Sequence, residues 1–211
     1  MKGFGITKET QGSSSVAIPA PIELTTPNAQ FKTGYEFPVA KLVKVAFVPN
    51  KEMTVNGVKE ERPVLEMLFK DAKNRQITHI EFPLEEGVDK YDEKLQWQQQ
   101  RIMHIWEETL GLKALPEDGI GTSATSFAEF FEDVAKQFNA VKHKEGDVEK
   151  VTYATVPLYI KLTYNKDRVQ LPMFPNFVQK AVGADGKTVP VEKLVINPTY
   201  DKIKATANVH T

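Results

Sequence analysis

Apolar and polar positions alternate through Leu158, Ile160, Leu162 and Tyr164 on one side and Tyr159, Lys161 and Thr163 on the other. That is the period of a strand with one buried face, and it predicts a strand over 150–164, bent near Pro157. The same period through Val43, Val45 and Phe47 against Leu42, Lys44 and Ala46 predicts an earlier strand over 40–48. Asn56-Gly57 is a tight-turn signal and suggests a small hairpin in the 50s. Strands over 64–70 and 76–82 follow, joined by the polar run Asp71 to Arg75, to give a three-stranded meander.

The period then changes. Leu95, Ile102, Trp106 and Leu110 fall on one helical stripe, with Gly111 as the terminator. Trp97, Arg101 and His104 fall on the other side, as a stacking patch, a subunit contact or a face against a second helix. Ser126 with Glu129 predicts a capping box ahead of the wide apolar face of Phe127, Phe130, Phe131, Val134, Phe138 and Val141. KHKEGDVEK reads as a charged loop, and a further strand runs over 168–172. Prolines 172 and 175 bracket Met173 and Phe174, which with Phe177 read as a cap over one end of the core. A last short strand is expected near 193–196.

Residues 1–30, with Ser13-Ser14-Ser15 and three prolines, read as a flexible N-terminal arm in which Phe4, Ile6, Ile18, Ile22 and Leu24 are hooks for a partner. Residues 31–180 form the domain, including a helical insertion over 90–143, and 181–211 form a C-terminal extension. Three strands, helices and two strands make an α+β chain. This is also the order of a five-stranded antiparallel OB-like β-barrel with a helical insertion after the third strand. The pattern leaves both descriptions open.

Composition narrows the chemistry. The chain has 211 residues, a net charge of −1 and no cysteine, which excludes disulfides, thiolate zinc sites and thiol nucleophiles. Charge is polarised: residues 1–80 carry +3, residues 81–149 carry −9 and residues 150–211 carry +5. No G-x-S-x-G or Walker pattern is present. His79 and Glu81, two apart on a strand, share a face and could hold a metal, but a sheet His beside a Glu is commonly structural. EEGVDKYDE over 85–93 has enough acids to chelate a divalent ion but lacks the alternation and central glycine of a calcium loop. The expectation is a non-enzyme without a cofactor or metal, and without a membrane span.

What remains is binding. Tyr159 and Tyr153 are candidate stacking platforms, and Lys161, Lys166, Arg168, Lys41, Lys44, Lys73 and Arg75 are candidate phosphate contacts. The stretch VPLYIKLTYNKDRVQLPMFPNFVQK, after FAEFFEDVAKQFNAV, resembles the single-stranded-DNA-binding proteins of tailed bacteriophages, the crAss-like group in particular. The resemblance spans residues 31–180. It implies an OB-fold that coats single strands during phage DNA replication and recombination in the host cytoplasm. Replication or recombination proteins and further copies of the chain are then the expected partners. Many such proteins end in an acidic tail that recruits partners; this chain ends DKIKATANVHT, which is slightly basic. The alternative is a virion assembly protein whose N-terminal arm reaches a neighbouring subunit.

Overall fold

The computed structural model describes residues 3–12, 39–55, 57–165, 168–171, 177–192 and 194, with the backbone alone at 11–12, 55, 163–165 and 168–170. Of the expected strand over 193–196 only Leu194, which is buried, is described; the rest of it and the Pro172–Pro175 stretch lie outside these residues.

β1 (Val39–Val55) and β2 (Val58–Asp71) pair from Ala40↔Asp71 to Val55↔Val58. The separate strand and small hairpin read from the sequence are thus one long ribbon. It turns at Gly57, whose φ of +84° suits a residue without a Cβ. The ladder is interrupted between Val48 and Lys51, around Pro49, which has no N–H to donate, and then resumes. β3 (Gln76–Glu81) continues the meander, from Lys70↔Gln76 to Leu65↔Glu81. Asp71 ties the connecting turn, its Oδ1 accepting from the N–H groups of Lys73 and Arg75 at 2.9 Å each.

β6 (Pro157–Ile160) pairs antiparallel with the start of β1, and β9 (Val178–Lys180) pairs with β6. The strand order is β3-β2-β1-β6-β9, all antiparallel, in an α+β fold; no closed barrel is formed among the described residues. The strand expected over 150–164 is divided. A charged hairpin, β4 (Lys142–Glu145) and β5 (Val148–Val151), precedes a 3-10 turn at Thr152–Thr155, then β6 and β7 (Thr163–Asn165). β7 pairs with β8 (Arg168–Gln170) in a second small hairpin.

One face of the sheet is the core. Leu42, Val45, Leu65, Met67, Phe69, Leu158 and Ile160 are buried there. They pack with Phe130, Phe131, Val134 and Phe138 of α3 (Phe127–Ala140). Ser126 caps α3 by accepting from the Glu129 N–H at 3.2 Å, while the Glu129 carboxylate accepts from Thr125 N–H and O–H at 2.8 Å. The reciprocal half of the expected box is therefore displaced by one residue.

α2 (Tyr91–Thr109) buries the expected Leu95, Ile102 and Trp106, and its Gly111 terminator has φ +80° with its N–H on the Trp106 and Glu107 carbonyls. It also buries Gln98, Gln99, Gln100, Arg101, Glu108 and Thr109, because it is covered on several sides. Its side chains finish the sheet. His104 Nε2 donates to Val178 O at 2.7 Å, and Glu108 Oε2 accepts from Lys180 N–H at 2.7 Å, so two backbone groups on the outer edge of β9 are taken by a helix.

The N-terminal residues are part of this layer, which corrects the flexible arm for residues 3–12. Ile6 is fully buried and exchanges both backbone hydrogen bonds with Ile120, at 2.8 and 2.9 Å. Phe4 packs edge-on against Phe127 and stacks with Phe130. The short α1 (Lys8–Gly12) follows, against α2. After β9, residues 181–192 fold back along the sheet: Ala181 N–H bonds Pro157 O, and the Gln179 side chain bonds Pro190 O and Glu192 N–H.

Candidate nucleic-acid interface

Strand pairing sorts the residues of the sheet into two faces. The rows Leu42–Phe69–Ile77, Val45–Met67–His79 and Phe47–Leu65–Glu81 face α3 and α2. Between them lie the outward rows Lys41–Lys70–Gln76, Lys44–Leu68–Thr78 and Ala46–Glu66–Ile80. At the end of this outer face sits the row Val39–Tyr159–Gln179, which puts Lys41 diagonal to Tyr159.

Lys41 and Lys44 are exposed and Lys70 is half-buried. Like charges directly across a strand pair repel, yet Lys41 faces Lys70. Among the described residues neither they nor Lys44 nor Lys73 has an ion pair. The cations of the ribbon and its turns differ: Lys51 holds Glu66, Lys59 holds Glu52, Arg62 holds Glu60 and Glu85, and Arg75 holds Asp71. Positive charge without a counter-ion is thus concentrated where the outer face meets the β2–β3 turn. Glu145, at the tip of the β4–β5 hairpin, registers it: Lys150 chiefly holds its carboxyl below the ordinary range, and the charges of His143 and Lys41 add to this.

The other expected contacts are placed differently. Tyr159 is half-buried on the outer face, opposite the buried Leu158 and Ile160, as its alternation requires. Lys161 is only 4% exposed, because β6 ends at Ile160 and the alternation ends with it; its N–H donates to Phe177 O at 2.7 Å. Tyr153 is 2% exposed within the 3-10 turn. Its hydroxyl donates to Asn139 Oδ1 at 2.8 Å and accepts from Val45 N–H at 3.3 Å, so it is a core strut with no free ring face. The outward placement of Lys161 and Tyr153 is thereby corrected. Arg75 is on the turn but committed to Asp71, and Lys73 is exposed beside it. Lys166 and the Arg168 side chain lie outside the described residues.

Behind the outer face lies a polar cluster that the sequence does not announce. Glu81 is 1% exposed. It accepts from Arg101 Nε at 2.7 Å and Nη2 at 2.6 Å, is 2.8 Å from His79 Nε2, and accepts from Gln98 Nε2 at 3.1 Å. Burial alone would raise its pKa; the Arg101 hydrogen bonds, with the charges of His79 and Arg101, outweigh burial and hold it at about 2. The pair His79 and Glu81, weighed as metal ligands, is instead closed by a guanidinium. No group of three or more metal-ligating side chains occurs among the described residues. No described helix is long and apolar enough to cross a membrane.

Comparison with protein-family models, curated proteins and solved structures finds no match to this chain.

Proposed function

We propose that the chain binds single-stranded DNA without sequence preference, as a non-catalytic protein. Phosphates would lie along Lys41, Lys44, Lys70 and Lys73, with a base stacked on Tyr159. The observation that carries this reading is the apposed lysine pair Lys41–Lys70, which has no ion pair among the described residues and whose Lys41 lies diagonal to a half-exposed tyrosine. A polyanion relieves that repulsion, and a flat aromatic ring accepts any base. The strand order β3-β2-β1-β6-β9, with the helices between β3 and β6, supports an OB-like description, since it is the unrolled order of such a barrel. A role in phage DNA replication and recombination, in the host cytoplasm, follows from the resemblance of the sequence. The alternative assembly reading drew on a free N-terminal arm; residues 3–12 pack on their own chain, and no observation favours it.

Fluorescence anisotropy with an oligothymidine of about 30 nucleotides tests the proposal across a salt series. Each phosphate contact contributes a slope of about −0.7 in log K against log salt, so Lys41→Ala, Lys44→Ala and Lys70→Ala each flatten it by about that amount. Tyr159→Ala weakens binding by roughly 1–3 kcal/mol. Absence of binding at low salt, or an unchanged slope in the triple lysine variant, refutes it.

A further inference from the structure

Phe82 and Trp97 are exposed aromatic side chains, 37% and 38% open to solvent. They are far apart in sequence but share one mount. Gln98 Nε2 donates to Phe82 O at 2.8 Å and to Glu81 Oε2 at 3.1 Å, and Glu81 is clamped by Arg101. The consecutive pairs Glu81–Phe82 and Trp97–Gln98 are therefore held by the same buried cluster. Two rings carried on backbones fixed this firmly, each partly open to solvent, offer rigid apolar contacts.

Charge says what these contacts fit. Residues 82–97 carry a net −3. Glu93 lies one turn before Trp97 on the same helix face, and Glu85 lies three residues after Phe82. Lys90 engages Glu93 at 3.6 Å and Arg62 engages Glu85 at 3.2 Å. Glu86, Asp89 and Asp92 are exposed and have no ion pair among the described residues. Lys94 lies three residues before Trp97, but acids still outnumber cations five to two in this stretch, which repels a polyanion and attracts a cation; a cation also gains from lying over a ring.

We infer that this corner docks a lysine- or arginine-bearing peptide segment of a partner protein. It does so independently of the lysine face on the outer side of the sheet. A protein with both would hold a nucleic acid and a basic partner at once.

The test uses the full chain and a fluorescein-labelled oligo-arginine of about eight residues, read by anisotropy; each of Trp97→Ala and Phe82→Ala is expected to weaken binding about fivefold. Trp97→Phe, which keeps a ring, restores most of it, and an oligo-glutamate of the same length does not bind. Thermal melts confirm that the variants fold. Both alanine variants keep every carboxylate, so unchanged affinity would mean bulk electrostatic attraction alone and overturn the inference. Failure of the wild-type chain to bind oligo-arginine overturns it too. If Trp97→Ala weakens oligothymidine binding, the occupant is nucleic acid; if it dissolves a dimer seen by light scattering, the occupant is a second copy. Either result replaces the basic peptide. Oligo-arginine binding lost in Trp97→Ala with oligothymidine binding intact is the expected pattern, whether or not the lysine face proves to bind DNA.

Discussion

Replacing Glu81 by glutamine removes one charge from a cluster that has almost no access to water. The amide is nearly isosteric, so little packing is lost. Arg101, 5% exposed, then loses the carboxylate that takes its Nε and Nη2 hydrogen bonds, and the new NH2 group points a donor at donors. Breaking a buried pair in this way costs about 3–5 kcal/mol at neutral pH. A second route gives a comparable figure. A carboxyl with pKa about 2, against an ordinary 4.5, contributes about 3 kcal/mol, at about 1.4 kcal/mol for each tenfold change in proton affinity. The sign follows from the depressed pKa. That contribution is complete above 4.5 and is lost as the pH falls through 4.5 towards 2. Urea unfolding of wild type and Glu81→Gln at steps from neutral pH to about 2 measures it. The wild type is expected to be more stable by a few kcal/mol above the ordinary glutamate pKa, and the two curves to converge below it. A gap that stays constant to the acid end shows that Glu81 does not titrate low in the folded state, and the reasoning fails.

Two further outcomes follow from the placements above. Tyr153→Phe deletes a hydroxyl that joins Asn139 to the Val45 N–H, so it lowers unfolding free energy by about 1–2 kcal/mol in urea titration. It leaves oligothymidine affinity unchanged; a selective loss of affinity would return Tyr153 to the interface. Ile6→Ala empties a fully buried site and lowers stability by about 2–5 kcal/mol, whereas a loosely attached arm would show no change in the same titration.

The meander was legible because its turns are punctuated, at Asn56-Gly57 and across Asp71 to Arg75. The helices were legible from apolar spacing and from Ser126 and Gly111 at their ends. The β4–β5 hairpin was not, because it has no apolar face: its residues are nearly all exposed, and backbone pairing with the ion pairs Lys142–Glu149 and Lys150–Glu145 holds it. Periodicity is blind to such a strand pair. Lys161 was misplaced because alternation says which face a residue takes only while the strand continues, and β6 stops one residue earlier. The polar cluster was hidden for another reason. In ITHIEF, apolar residues stand at both parities, Ile77 at one and Ile80 and Phe82 at the other. The sequence alone did not say that His79 and Glu81 point inward. Their partner Arg101, 20 residues on from Glu81, sat on what looked like the wet side of its helix.

The way β9 ends has a consequence for concentrated solutions. Open strand edges let one molecule's ladder carry on into the next, the usual start of fibrous aggregation. Here His104 and Glu108 already occupy Val178 O and Lys180 N–H, and they belong to a helix too firmly seated to be pushed aside by a passing strand. Molecules packed shoulder to shoulder would therefore meet through side chains on this flank and stay separable.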